Sequence, residues 1–462
     1  MNAPKVAEST TSLASKAQAT LTNTAKKLSN SVSASLTIDV TSTQSPVFWI
    51  LLVAVVGALI FCILTIQNNW ASRSTPNNVA VTTMDRKAIF DVKFASELKD
   101  KKSLRQAIQE QGVSERENCL INFQPLTVIH PGFLGPLQDG VYDERVGATT
   151  AIRMGARCFV LPIDFHDKET MAAPFPPANT PCLLYRDEGG TIRSINGGSV
   201  AKIAQTIADV AWSDIVNQRN DPFILILYFL RTPEVNTKRY LDFLSKVAVD
   251  LAPLSPYLLG QTPEGVYNRQ ARQNEVLFVN TSQLEKKLLV FCNADTSGFR
   301  TSQKDFKHSY LPKEDLDYWV HMRIFKQNLE SVFGVTGIPE KSTVPRSMIE
   351  RIDFYTALPA DAASKKAALD GTKEKFMITL GKQGENPNAP TLTKLLDEFG
   401  VQSVPLFIID STPEVTAALR QWKFAWRAKP KAIRYVRPEP IQILPQNPVV
   451  NANGGMLRTP GT

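Results

Sequence analysis

The 462-residue sequence predicts an α/β protein, a (β/α)8 TIM-type barrel preceded by one transmembrane helix. Three observations predict it. Residues 47–66 carry no charge and make a run of about 20 residues, the length that crosses a bilayer core at 1.5 Å per residue. From residue 117 on, short and almost wholly apolar runs alternate with amphipathic helical patterns, as in a parallel sheet covered on both faces. Seven or eight such units over about 300 residues favour a closed ring, and no Gly-rich phosphate loop follows the first strand to suggest an open dinucleotide-binding sheet.

Residues 1–44 are rich in Ser, Thr and Ala, with no acid between Glu8 and Asp39. Leu21, Leu28, Val32 and Leu36 recur at helical spacing, which leaves a weak amphipathic helix and a disordered tail both open. Residues 45–68 form the membrane unit, with Trp49 and Trp70 near the two interfaces. A cleaved signal peptide does not fit, because about 45 residues precede the apolar run and its n-region is normally short. Lys26 and Lys27 on one side balance Arg73, Arg86 and Lys87 on the other, so sidedness stays open. Residues 69–115 read as a linker and a short charged helix.

The barrel is expected over 116–430. Its strands are "LTVIHPG" (126–132), "RCFVLPID" (157–164), "PCLLYRD" (181–187), "PFILILYFLR" (222–231), "KLLVFCNAD" (287–295), "RIDFYTA" (351–357) and "SVPLFIID" (403–410). The helices between them include 142–156, 199–213 with Ser199 as N-cap, 235–251 and 391–400. A closing helix is expected to carry Leu419, Trp422 and Trp426 on one face. Residues 420–437 hold seven basic groups and no acid, which fits either a solvated helix face or a surface for lipid phosphates or an acidic protein. Residues 431–462 form a Pro-rich tail.

The net charge of +8 suits an anionic membrane or an acidic partner, and without a recognition motif it does not point to nucleic acid. Five cysteines, four of them in apolar or strand-like runs, read as reduced core thiols and not as a disulfide framework or a zinc site.

The stretches "AIRMGARCFVLPID", "PCLLYRDEGGTIRSINGGSVAKIAQTIADVAW" and "DPFILILYFLR" resemble, in order and spacing, the X domain of phosphatidylinositol-specific phospholipase C. The resemblance covers about residues 117–250 and comes nearest to divergent, membrane-associated barrels of large DNA viruses. It implies two catalytic histidines and a Ca²⁺ held by an Asn, a Glu and Asp pair on strand two, and a Glu on strand four. Carried over by position, the first histidine is His130 and the Asn is Pro131. The Glu and Asp become Val160 and Pro162, and the last Glu becomes Tyr228. The second histidine falls near Arg186 and Glu188. Such side chains cannot supply the six to eight oxygens Ca²⁺ takes, so no cofactor is expected.

Remaining candidates are His130, His166 and Asp164 as a substituted acid–base group, with Arg157 or Arg186 holding a phosphate. Asp167, Asp187, Asn293 and Asp295 also follow strands, where the bland alternative is turn capping. Arg157 is alternatively a structural partner of Asp164. The resemblance and the emptied positions together suggest a catalytically inactive, membrane-anchored scaffold in a virion, bound to the bilayer through 47–66 and to a protein partner. The alternative is a tethered phosphodiesterase with rearranged residues.

Overall fold

In the computed structural model, the described residues are 46–73, 75–94, 101–167, 174–187, 189–233, 238–260, 275–296, 298–299, 311, 313–325, 349–351, 358, 361–381, 386–408, 413–439, 449–450 and 456–457. The tail at 1–44, Glu188, His308 and most of 440–462 lie outside them. Two units are distinguished, residues 1–71 and 72–462.

In the first unit a helix begins at Pro46 and its backbone runs through α1 (Pro46–Arg73). The side chains described on it, at 49–63, are all exposed. Among the described residues no helix is long and apolar enough to cross a membrane.

In the second unit, α2 (Pro76–Phe94) occupies much of what the sequence suggests is a linker. Phe90 and Phe94 are buried in the main core and Arg86 donates through Nε to the Leu134 carbonyl at 3.2 Å, so this segment is part of the folded body. Its pattern hides this, since large apolar groups are spread round the helix: Val81, Met84, Ile89 and Val92 are exposed while Phe90 and Phe94 are buried. The short helix α3 (Leu104–Glu110) is started by a reciprocal capping box between Ser103 and Gln106.

The core is a parallel sheet. Its strands are β2 (Thr127–Ile129), β3 (Cys158–Asp164), β5 (Phe223–Phe229), β6 (Leu288–Cys292), β7 (Met322–Phe325), β8 (Ile349–Arg351) and β9 (Phe376–Ile378), paired in that order. Beyond the two edges lies the segment around 403–406. Ser403 forms a parallel bridge with Ile378 of β9, and Leu406 with Val128 of β2. Leu406 N donates to Thr127 O at 3.0 Å, and Ile129 N to Leu406 O at 3.1 Å.

Every residue of β3, β5 and β6 is buried, as the unbroken apolar runs predict. One face of β3 looks outward: Phe159 meets Phe223, which meets Trp212 beyond α5 (Val200–Val210). The other face holds Cys158, Val160, Pro162 and Asp164, in register with Ile224, Ile226 and Tyr228 of β5. Phe291 of β6 reaches Phe376 of β9, a strand three places away, with ring centroids 5.4 Å apart. The inner face is therefore a packed interior.

The helices form where the pattern places them. Asp143 caps α4 (Glu144–Arg153) through Val146 N, and Ser199 caps α5 through Lys202 N. Gly147 lets α4 lie against the turn after β2, because a Cβ there would stand 2.4 Å from the Pro131 carbonyl oxygen. Helix α6 (Lys238–Asp250) buries Tyr240, Phe243, Leu244 and Val247.

Three expectations are corrected. The segment at 181–187 is not a parallel barrel strand; β4 (Cys182–Leu183) runs antiparallel to the end of β3, pairing Cys182 with Asp164. Pro181 lacks an N–H for the ladder, and Gly189 and Gly190 turn the chain back so that Arg186 bridges Ile192. Strands β7 and β9 are missed by the sequence reading, since "HMRIF" and "KFMI" are too short to stand out. Trp426 does not share a helix with Leu419: the helix spans Pro413–Gln421, and Trp426 lies in β10 (Trp426–Ala428), antiparallel to β1 (Phe123–Pro125).

Candidate functional site

In open parallel α/β sheets, ligands bind beyond the C-terminal ends of the strands, so that end of the sheet is the place to look. His130 follows β2 there. It is fully buried and adopts φ 52°, a left-handed conformation forced by the turn in which Phe133 N donates to the His130 carbonyl. Its Nδ1 lies 2.8 Å from the Tyr142 hydroxyl. Around its ring stand Phe133, Tyr142, Tyr185 and Phe407, with centroids 5.8–6.4 Å away. Tyr185 stacks on Phe133 at 5.0 Å and on Phe407 at 5.7 Å. Burial pushes the imidazole down to about 3, so it is neutral at physiological pH. It is one member of a cluster of rings filling this end of the sheet.

Asp164 ends β3 and is fully buried. Arg186 Nε donates to its Oδ2 at 2.5 Å, and Arg231 Nε to its Oδ1 at 2.7 Å. The Phe165 N–H donates to Oδ1 at 2.7 Å. Both guanidiniums also donate to the Phe165 carbonyl, and Arg186 Nη1 to the Gly190 carbonyl at 2.7 Å. Arg231 covers the Phe165 ring at 4.5 Å and pairs with Asp167 at 3.4 Å. A carboxylate held this way is not a free base, and Arg186 is committed to the clamp and not open to a phosphate.

His166 is also buried, but among other groups. Its Nε2 donates to the Pro176 carbonyl at 2.6 Å and its ring meets Phe175. Its Nδ1 is buried without a hydrogen-bond partner. His130 and His166 thus have different partners and are not brought together as an acid–base pair. Arg157 precedes β3, about 23 Å from Asp164 at 3.3 Å per residue, and lies at the opposite end of the sheet. There its Nη2 donates to Gln218 Oε1 at 3.3 Å, so it neither pairs with Asp164 nor serves the C-terminal end.

The other polar groups at the strand ends are engaged in pairs and backbone hydrogen bonds. Asp187 accepts from Thr191 N and pairs with Arg193. Asn293 exchanges two hydrogen bonds with the Phe229 backbone, imitating a strand neighbour. Asp295 accepts from Arg323 at 2.9 Å, and Arg323 also lies 3.6 Å from Asp317. Arg231 and Arg323 were missed as site residues; each is a lone arginine in or just after an apolar strand, a pattern that anticipates a buried acid partner.

The positions where the resemblance implies a Ca²⁺ site do not fit one. Val160, Pro162 and Tyr228 are buried on the inner face, the first two without a side-chain oxygen. The nearest carboxylate, Asp164, has both oxygens occupied by hydrogen bonds. Among the described residues no group of three or more His, Cys, Asp or Glu could hold a metal ion.

No family model and no curated protein matches the chain. Solved structures similar to it include L. pealei PLC21, at 11% identity and a TM-score of 0.44, over 68% of this chain and 38% of that one. S. officinalis PLC21 gives 13% and 0.43 over the same shares. This chain thus spans well under half the length of those proteins. A calcium-dependent phosphoinositol-specific phospholipase C from a Gram-negative bacterium, Pseudomonas sp, gives 8% and 0.38, over 68% of this chain and 97% of that one.

Proposed function

We propose that this chain is a membrane-anchored barrel of phospholipase-C-like design that performs no catalysis and serves as a structural or scaffolding element. The observation that carries the reading is the ring cluster around His130. It fills the end of the sheet where a substrate would have to enter, and Asp164, at the end of β3, is locked between two arginines. The closed-ring reading is supported by the bridges that Ser403 and Leu406 make to the two edge strands.

Anchoring is supported by the uncharged run at 47–66 and by the exposed apolar side chains on α1. A virion setting, in which the barrel links an internal membrane to a protein layer, rests on the sequence resemblance. The full chain in lipid nanodiscs is to be assayed on phosphatidylinositol, phosphatidylcholine and glycerophosphodiesters, with Ca²⁺ and with chelator. The expected result is no turnover above the protein-free blank. Turnover that His130→Ala abolishes would overturn the proposal.

A further inference from the structure

A cavity of about 430 Å³ opens on the side of the molecule formed by the helix at 413–421 and the segment at 389–398. It is of the size that takes one or two large side chains or a small ligand. Its apolar walls are Leu392, Leu396, Trp422 and Phe424, all of them mostly buried. One wall is a π-helical turn, Lys394–Glu398, a local distortion found more often at functional sites than elsewhere. The Trp422 indole N–H beside it is buried and has no hydrogen-bond partner.

The charge around the opening is one-sided. Arg427 lines the cavity, lies 6.0 Å over the Trp422 ring and is ion-paired with Asp397. Lys423 lines it as well and is exposed. Lys394, Arg420 and Lys431, each next to a lining residue, are exposed too. Against them stand Asp397 and Glu110, already paired with Arg427 and Lys102, and the exposed Glu398. The seven basic residues of 420–437 are thus not a uniformly solvated helix face. Some of them border a concave apolar site.

We propose that this cavity docks an acidic segment of a partner protein, one large apolar side chain of which inserts between Trp422, Leu392 and Leu396 while flanking carboxylates meet Lys423 and its basic neighbours. Shape favours a protein over a bilayer. A concave site accepts an inserted side chain, whereas a membrane surface is met by protruding apolar groups. The proposal holds whether or not the barrel is catalytic.

The test uses the full chain in phosphatidylcholine nanodiscs and fluorescein-labelled short peptides read by anisotropy. One peptide has a central Phe flanked by Glu, one a central Ala flanked by Glu, and one a central Phe flanked by Lys. The Glu/Phe peptide is expected to bind about ten-fold or more tightly than the Ala control, as burial of one Phe side chain implies, and more tightly than the Lys-flanked one, whose charges meet like charges. Ala417→Trp, at an exposed lining position, is expected to weaken binding about ten-fold by filling the cavity, and Lys423→Glu several-fold. Absence of binding by the Glu/Phe peptide would overturn the proposal, as would binding that Ala417→Trp leaves unchanged. So would displacement of the peptide by glycerophosphoserine, which would make the site one for lipid headgroups.

Discussion

At the C-terminal ends of the strands, rings are packed against rings, and the polar groups that remain are tied to one another: His130 to Tyr142, Asp164 to Arg186 and Arg231, Asp295 to Arg323. At the N-terminal ends, polar side chains reach inward to satisfy backbone groups. Gln124 Nε2 donates to the Leu396 and Val401 carbonyls, Gln402 Nε2 to those of Ile121 and Thr372, and the fully buried Lys429 Nζ to that of Thr372 at 2.6 Å. Burial holds the Lys429 amine well below its ordinary range and pushes Arg157 down to about 10. In parallel α/β sheets ligands usually bind at the first of these ends. In this chain the polar groups described at the two ends are held by different means: pairing of charges and packing of rings at one, capping of carbonyls at the other.

The largest effect is expected where a charge pair is broken. Asp164→Ala leaves two partly buried guanidiniums facing each other without a counter-charge and is expected to cost about 3–5 kcal/mol in chemical denaturation. Asp164→Asn keeps acceptor geometry on one oxygen and is expected to cost less. Equal losses for the two would mean that the carboxylate charge contributes nothing.

Phe133→Ala removes the ring that touches His130, Tyr142, Tyr185 and Phe407 and is expected to cost about 3–4 kcal/mol. It is expected to open space without creating phosphodiesterase turnover. A variant as stable as the parent would show that the rings do not form one packed unit.

A smaller, pH-dependent effect belongs to the N-terminal end. Asp221 accepts from Leu104 N at 3.1 and 2.9 Å, and burial raises its carboxyl to about 7 although Arg157 pulls the other way. A carboxyl raised on folding stabilises the fold most below its unfolded value near 3.8 and loses that contribution as pH rises toward 7. The melting temperature of Asp221→Asn relative to the parent is therefore expected to rise between pH 4 and 8. A constant difference would remove Asp221 as the source.

Much of this was legible in the sequence. The unbroken apolar runs of β3, β5 and β6 and the caps at Asp143 and Ser199 stand where periodicity and N-cap chemistry put them. The positions that the resemblance assigns to metal-binding acids, Val160 and Pro162, were named from the sequence, and both are buried on the inner face of β3. What was hidden is long-range. Nothing local shows that Tyr142, Tyr185 and Phe407 meet over His130, because they come from three separate segments. Pairing of Arg231 with Asp164 likewise spans 67 positions. Trp426 was misread because a spacing of seven from Leu419 looks helical even though the chain leaves the helix between them.

The central claim is that the strand ends are a closed, packed core holding a neutral histidine. The most direct measurement is an NMR titration of the imidazole signals in the full chain with selectively labelled histidine, assigned with His130→Gln. An imidazole lowered to about 3 keeps its stabilising contribution above pH 6.5 and loses it as pH falls toward 3. The His130 signal is therefore predicted to stay fixed from pH 5 to 8. A midpoint between 6 and 7 would mean that water reaches the ring, and would contradict the account.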